Sequence, residues 1–358
     1  MASSKPKPLM LDVNGVEVKL SNPDKLYFPQ LGEGGGRKGD LVEYYRTMAL
    51  AGPILGAIGG RPTFLQRFPD GVEGDEIYQK HLTKYHPEHV GSTKIVFPSK
   101  RSGQAFCPRI PADVVWAANL GTVTFHTWPT VDPDNDHPDQ LRIDLDPPGG
   151  ESGREFDDVR IAAIDHVRPL LDELGYTGFV KTSGSRGVHV FVPIRPEWDF
   201  IAARRAAIAL GRELERRAPE LFTTSWWKED RGDRIFIDYN QNARDRSMAA
   251  PYSVRKSPNA RVSTPLTWDE FADVVPDDLT IATVPALLER RGDPWADIAD
   301  HAAGLEPLLE MVGRDDADGL GDLPYPPSYP KMPGEPPRVQ PSKKVADHWD
   351  SDGNRIEK

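Results

Sequence analysis

The apolar and polar positions of this chain predict many short strands separated by a few amphipathic helices. Over residues 141–146, Leu-Arg-Ile-Asp-Leu-Asp, the two types alternate. A strand there turns Ile143 and Leu145 into a core and Asp144 and Asp146 together to the opposite face. Alternation also predicts strands within 15–22, 61–71, 76–81, 93–99, 122–129, 234–242 and 248–255. Residues 178–194 read as strand, tight Ser/Gly turn and strand. Helical spacing predicts a helix over 41–58 with Asp40 as N-cap and a kink at Gly52-Pro53, and a short helix over 111–121 ended by Gly121. Further helices are expected over 156–175 despite Pro169, over 197–217, and around 268–275 and 285–311. Residues 99–104, SKRSGQ, read as a mobile basic loop. Strands and helices mixed in this order give an α+β fold.

Composition narrows the class. At 358 residues the chain can bury a sizeable core and form two subdomains. It has no apolar run of membrane-spanning length, and no long apolar segment follows its first ten residues, so a soluble, unsecreted protein is expected. Cys107 is the single cysteine, which fits a reducing cytoplasm. The net charge of −11 argues at first against a polyanionic partner, but the charge is unevenly placed. Residues 266–358 hold 20 acidic and 9 basic residues, leaving 35 of each in residues 1–265. The acidity belongs to the C-terminal part, and the rest keeps enough cations for basic surfaces.

Candidate chemistry changes the picture further. Two carboxylates on one strand face repel unless a cation lies between them, and a divalent metal is the usual answer. The same D-x-D ahead of Pro147-Pro148-Gly149-Gly150 is also an ordinary turn signal. A second loud element is Ser183-Gly184-Ser185-Arg186-Gly187, which sets hydroxyls, accessible amides and a guanidinium on one turn, as a triphosphate requires. It lies between strands, so it is neither a P-loop nor a Rossmann turn; an ordinary hairpin is the alternative. A third strand carboxylate, Asp238, and Arg255 at the end of a later strand complete a consistent set for two-metal phosphoryl or nucleotidyl transfer. Arg67, Tyr78 and Lys80 interleave cations with an aromatic, the pattern of a surface that stacks bases and holds phosphates. Lys25 and Lys38 sit in loops around a helix start, where an anion is favoured or where they merely solubilise. His81, His86 and His89 fit no ordinary zinc spacing and read as surface histidines; His126 beside Trp128 reads as a packed strand histidine.

The segments RIDLDP, KTSGSRGVHVFVPI, IDYNQN and APYSVR, with NPDKLYFP, RFPDG and YQKH in the same order, resemble the polymerase domain of bacterial non-homologous end-joining ligases, a branch of the archaeo-eukaryotic primase superfamily. The resemblance covers about residues 10–300. It implies a primase-like catalytic core with mixed or antiparallel central sheets flanked by helices. The catalytic domain would occupy 1–312, with an N-terminal subdomain to about 120 bearing the DNA-end loops and the metal and nucleotide site in 121–312; an acidic, Pro-rich tail would follow over 313–358, disordered or wrapped on the surface.

By that resemblance Asp144, Asp146 and Asp238 would bind two manganese ions, or magnesium. Ser183, Arg186, His189, Lys228 and Arg255 would surround the incoming NTP or dNTP, with Gln241 and His126 close to it. Asn22, Lys25 and Lys38 would hold the 5'-phosphate at the far side of a gap in duplex DNA, and Arg67, Tyr78 and Lys80 would touch the template. Two departures stand out. Arg186 replaces the family's lysine, trading a point contact for a planar fork. Ile77-Tyr78 stands where the family often shows two adjacent aromatics, which leaves one stacking ring. No ligase motif follows, so the implied protein is a stand-alone monomer in the bacterial cytoplasm at the nucleoid, working with a separate DNA ligase and the end-binding protein Ku. The implied activity is template-directed gap filling or end extension, with ribonucleotides well accepted. Two other classes remain open. One is a non-catalytic DNA-end-bridging factor. The other is a D-x-D glycosyltransferase, which leaves Asp238 and the basic loops without roles.

Overall fold

The computed structural model describes residues 9–148 and 155–325. In chain order the elements are β1 (Leu9–Val13), β2 (Val16–Leu20), α1 (Lys38–Leu50), α2 (Pro53–Ile58), β3 (Thr63–Arg67), β4 (Ile77–Gln79), β5 (Ser92–Val96), β6 (Ser102–Phe106), α3 (Pro111–Asn119), β7 (Thr122–Thr127) and β8 (Gln140–Asp146). They continue with α4 (Phe156–Ala162), α5 (Arg168–Glu173), β9 (Phe179–Thr182), β10 (Val188–Pro193), α6 (Phe200–Arg217), β11 (Phe222–Thr223), β12 (Ile235–Ile237), β13 (Met248–Ala249), β14 (Pro265–Leu266), α7 (Trp268–Ala272), α8 (Val284–Arg291) and α9 (Glu306–Ala317).

Two six-stranded sheets carry the molecule. The first runs β11-β12-β8-β10-β9-β14, and the second runs β13-β7-β3-β6-β5 with β4 added on β3. Apart from the parallel β11–β12 pair, the pairings are antiparallel. Leu141, Ile143 and Leu145 of β8 join Val188, Val190 and Val192 of β10 in the main core. The opposite face of β8 carries Arg142, Asp144 and Asp146, by the strand's period of two.

Arg142 ties that face to the second sheet. Its guanidinium is buried and donates from Nη1 to Thr127 O (2.6 Å) and from Nη2 to Trp128 O (3.0 Å) and Gln140 Oε1 (2.8 Å). Phe191, its cross-strand partner, stacks under it with 4.9 Å between guanidinium carbon and ring centre. Burial pushes its pKa down to about 9, so it remains charged at neutral pH.

Several predicted boundaries shift. The first helix starts at Lys38 and not 41, because Asp40 sits three residues inside it and accepts from Arg37 N–H (2.8 Å). The kink at Gly52-Pro53 is a full break into α2. Residues 102–106 form β6 instead of a mobile loop; Gly103 leaves room for the His81 ring, and the strand pairs with β5. Pro169 is accommodated by a π turn over Ala163–Val167. The helix expected over 285–311 is two helices, since Gly292 takes a φ of 76° and Pro294 follows. The helix beyond it runs to Ala317, and residues 318–325 pack on α6, so folded structure continues past 312; the rest of the expected tail, 326–358, lies outside the described residues. No helix among the described residues is long and apolar enough to cross a membrane.

Replacing Arg142 with Met fills the space but leaves the Thr127 and Trp128 carbonyls without donors. The variant should unfold about 3 kcal/mol more easily in urea, with an unchanged denaturant slope.

Candidate active site

The site opens where the polar face of β8 meets β7. Strand register brings its parts together: His189 on β10 lies opposite Asp144, and Lys181 on β9 lies opposite His189. On the other side, Asp238 follows the last residue of β12 and its N–H donates to Asp144 O (3.0 Å). Asp238 then caps a 3-10 turn, Tyr239–Asn242, accepting from Asn240 N–H at 3.0 Å and from Gln241 Nε2 at 3.2 Å. The predicted strand over 234–242 is therefore only three residues long, and the turn after it is what aims the third carboxylate.

The three carboxylates strain one another. Burial pushes Asp144 up to about 6, against the charges of Lys181 and Arg255. Burial and then the Asp144 charge push Asp238 up to about 6 as well. Asp146, solvent-accessible at the strand end, is pushed up to about 8 first by Asp144, then by desolvation and Asp238; screening by solvent moderates that push. Asp144 Oδ1 is buried without a hydrogen-bond partner: His189 Nε2 lies 3.3 Å away but is not aligned to donate. Among the described residues no set of three Asp, Glu, His or Cys side chains is already closed around a point that would hold an ion. Mutual repulsion and an orphaned carboxylate oxygen nevertheless fit a divalent cation with a preference for oxygen ligands.

The Ser183–Gly187 turn docks against this cluster. Ser183 Oγ accepts from the N–H groups of Ser185 and Gly187, both at 3.1 Å, and so is spent on shaping the turn. Gly184 has φ +70°, and a methyl group there would come within 2.4 Å of Arg255 Cγ. A methyl group on Gly187 would lie 2.7 Å from Leu145 O and 3.2 Å from Asp146 Oδ1. Both glycines are thus required by close approach. Arg186 is exposed and acts electrostatically on Asp146. Arg255 is largely buried, and its Nε and Nη1 have no hydrogen-bond partner. An unmet guanidinium beside a carboxylate cluster is a place for an anion bridged to cations.

His189 and His126 are both held well below the usual imidazole range, by burial first and then by nearby cations including Lys181 and Arg255. His126 is paired with Gln66 Oε1 (3.0 Å) and stands edge-on to Tyr78, with ring centres 5.3 Å apart. Lys228 lies exposed on a 3-10 turn, while Arg231, three residues on, bears electrostatically on Asp146 and Asp238.

Two groups escape a reading of the sequence. Lys181 is fully buried and meets His189 Nδ1 at 2.7 Å and Ser263 Oγ at 2.5 Å. The signal for Lys181 is present, since it alternates with Ser183 inside an apolar strand; Ser263 has no such signal, because long-range pairing with Thr182 brings it in.

The supposed template contacts are partly committed elsewhere. Tyr78 is 40% exposed, with its hydroxyl 2.8 Å from Ser247 Oγ, so its ring remains accessible. Lys80 is paired with Asp245 (3.0 Å). Arg67 donates to Leu120 O and Gln79 Oε1, and its charge acts on Lys38, so it belongs electrically to the lysine loops. There the backbone of 22–28 is zipped to 36–39, with Lys38 N–H donating to Lys25 O (2.8 Å) and Gly39 N–H to Pro23 O (2.8 Å). Lys38 Nζ is buried against Ser21 O (2.8 Å), Ser21 Oγ and Asn119 Oδ1 (both 3.1 Å). Burial, Lys25 and Arg67 together push it down to about 8. Lys25 is bound to Pro69 O and Asp70, and Asn22 is exposed with φ +50°. Of the three histidines expected at the surface, His81 rests on Phe97 and His89 lies 3.2 Å from buried Asp113.

The family model for the LigD primase-polymerase domain matches residues 37–295. The multifunctional non-homologous end joining protein LigD of Mycolicibacterium smegmatis is 29% identical over 88% of this chain and 40% of its own length. The protein of that name from Pseudomonas aeruginosa is 31% identical over 79% of this chain and 33% of its own. The chain thus spans less than half the length of these curated relatives. The solved polymerase domain from Mycobacterium tuberculosis ligase D, in complex with DNA, matches with a TM-score of 0.71 at 27% identity, covering 80% of this chain and 99% of that one.

The raised carboxyl pKa values set a pH dependence. Each folded-state value lies above the unfolded 3.8, so between about pH 4 and pH 8 the metal-free folded protein holds protons that the unfolded chain releases. Stability therefore falls as pH rises through that window. Asp146→Asn should raise the melting temperature in EDTA by a few degrees at pH 8, and by nothing at pH 4.

Proposed function

The chain belongs to the LigD primase-polymerase domain family, and on that premise we propose that it is a metal-dependent, template-directed nucleotidyltransferase that fills short gaps or extends broken DNA ends in end-joining repair. The observation that carries this reading is the meeting of Asp144, Asp146 and Asp238 beside the Arg255 guanidinium, whose Nε and Nη1 have no partner, and the Ser183–Gly187 turn. Carboxylates that resist joint ionisation and a cation with unmet donors are the two halves of a site for a metal-bound triphosphate.

In this reading Asp144, Asp146 and Asp238 hold two Mn2+ or Mg2+ ions. When bound, such ions activate a 3'-hydroxyl and neutralise the phosphates of the incoming nucleotide. This chain's own residues then bind and orient. Arg255 and the exposed Arg186 meet phosphate oxygens, and the Ser183 hydroxyl, by accepting from the Ser185 and Gly187 amides, holds the turn in shape beside them. His189, neutral and anchored by Lys181, turns Nε2 toward Asp144 and limits the carboxylate's freedom. Gln241 steadies Asp238. His126 and Tyr78 form one edge-on aromatic pair at the mouth, where Tyr78 offers a ring for a template base. Lys228 is left as a mobile phosphate contact, and Lys80 serves the template only after leaving Asp245.

Lys38 and Lys25, with the Arg67 charge behind them and Asn22 at the rim, form the site for a downstream 5'-phosphate. Asp70 occupies Lys25 there and must yield when the phosphate arrives. The substrates are gapped or broken duplex DNA and NTP or dNTP. A separate ligase and an end-binding protein such as Ku complete the repair.

The deciding experiment is extension of a gapped duplex, with and without a downstream 5'-phosphate, comparing rNTP with dNTP in Mn2+. Wild type should extend, and the Asp144→Ala/Asp146→Ala protein should not, while still binding the duplex. Full extension by the double variant, or 5'-phosphate-dependent binding by wild type with no incorporation, overturns the reading; the second outcome is that of an end-bridging factor. Separately, Asp70→Asn should free Lys25 and tighten 5'-phosphate-dependent binding up to about fivefold, the scale of an exposed ion pair. The gain should shrink with added salt, measured by fluorescence anisotropy.

A further inference from the structure

The residues after α9 lie outside the matched family span, yet they touch the turn that carries Asp238. Their contact runs through Arg204 of α6, whose side chain is fully buried. Arg204 Nε donates to Asn240 Oδ1 (2.8 Å), on the 3-10 turn that Asp238 caps. The rest of the guanidinium grips the segment Asp322–Tyr325: Nη1 donates to Asp322 Oδ1 (2.6 Å), and Nη2 to Leu323 O (2.5 Å) and Pro324 O (3.1 Å). The Tyr325 ring, itself buried, covers the guanidinium with 3.7 Å between the group's carbon and the ring centre. The turn also bonds the segment directly, since Asn240 Nδ2 (3.2 Å) and the Tyr239 hydroxyl (3.3 Å) both donate to Pro324 O.

The Arg204 guanidinium, the Asn240 amide, the Tyr239 hydroxyl and the Leu323 and Pro324 carbonyls bond one another. The segment therefore does not simply cover the turn. With Arg204 it holds both ends of the Asn240 amide and the Tyr239 hydroxyl, and leaves the Asn240 N–H aimed at Asp238 Oδ1. A guanidinium that donates to two separate stretches of chain is a rigid fork, which holds their spacing better than a flexible amine would.

We propose that Asp322–Tyr325, clamped by Arg204, is a positioning strap for the Asp238 carboxylate, so that the metal site of this protein is completed by a segment beyond the family's matched residues. The inference rests on the reading of Asp238 as a metal ligand. Supporting partners of ligand carboxylates set metal affinity by about 10–100-fold in general.

The test uses the full-length chain. Mn2+ binding is measured by the paramagnetic signal of free Mn2+ for wild type, Arg204→Lys, Tyr325→Ala and Asp316→Asn. Asp316 pairs with Arg205 on the same helix-to-helix interface without touching the strap, and so reports general loosening. Arg204→Lys and Tyr325→Ala should each weaken Mn2+ binding about tenfold, with extension restored at raised Mn2+ and 5'-phosphate-dependent DNA binding unchanged. Asp316→Asn should leave Mn2+ binding as in wild type. If Arg204→Lys does not fold, Tyr325→Ala decides alone. Unchanged Mn2+ affinity in the strap variants, or an equal loss in Asp316→Asn, overturns the strap. Asp238→Asn separates the two layers: if it weakens Mn2+ binding while the strap variants do not, only the strap fails; if it too leaves binding intact, the ligand reading falls and takes the strap with it.

Discussion

Three carboxylates gathered at the end of one strand pair are an electrostatic cost that the rest of the structure must offset. Burial raises the pKa of Asp144, the Asp144 charge raises both Asp146 and Asp238, and several cations near them act against the rise. Arg255 and Lys181 act on Asp144 from the buried side, Arg231 and Arg246 act on Asp238, and Arg186 faces Asp146 from the turn. The strands cannot relieve the repulsion by shifting, because Leu145 and Ile143 lock β8 into the core in one register. Arg142, two residues along the same face, is consumed by the second sheet and offers the cluster nothing. The positions of the carboxylates are thus fixed by packing, and their charge is left to be met by what binds.

Much of this was legible in the sequence because it depends on local period. The alternation of Leu141–Asp146 placed two aspartates on one face, and the Ser/Gly turn between two valine-rich runs placed a phosphate-shaped loop nearby; the α+β architecture and the family followed from the same segments. What sequence could not supply was pairing between distant residues. Lys80 and Arg67 read as cations of a base-stacking surface, and their bonds to Asp245 and to Gln79 and Leu120 O come from pairings the sequence does not show. Residues 102–104, polar and part of the loop expected over 99–104, join β6 only through pairing with β5. The turn that aims Asp238 has no apolar period at all, and its order comes from Asn240 and Asn242, each bonded to another part of the fold.

The two basic regions also differ in kind. At the carboxylates, cations are buried and several donors of Arg255 are unmet, which favours a multiply charged ligand held by fixed groups. At Lys25 and Lys38 the donors are already bonded within the protein, so an arriving anion would have to exchange one partner for another. Burial makes the first selective for geometry, whereas exchange makes the second sensitive to salt.

Lys38 carries one more consequence. An amine pushed down to about 8 is not fully protonated near neutral pH, and an anion placed against it would draw the missing fraction of a proton from solvent. Occupation of that loop by an anion would therefore be linked to proton uptake, with affinity falling as pH rises through about 8.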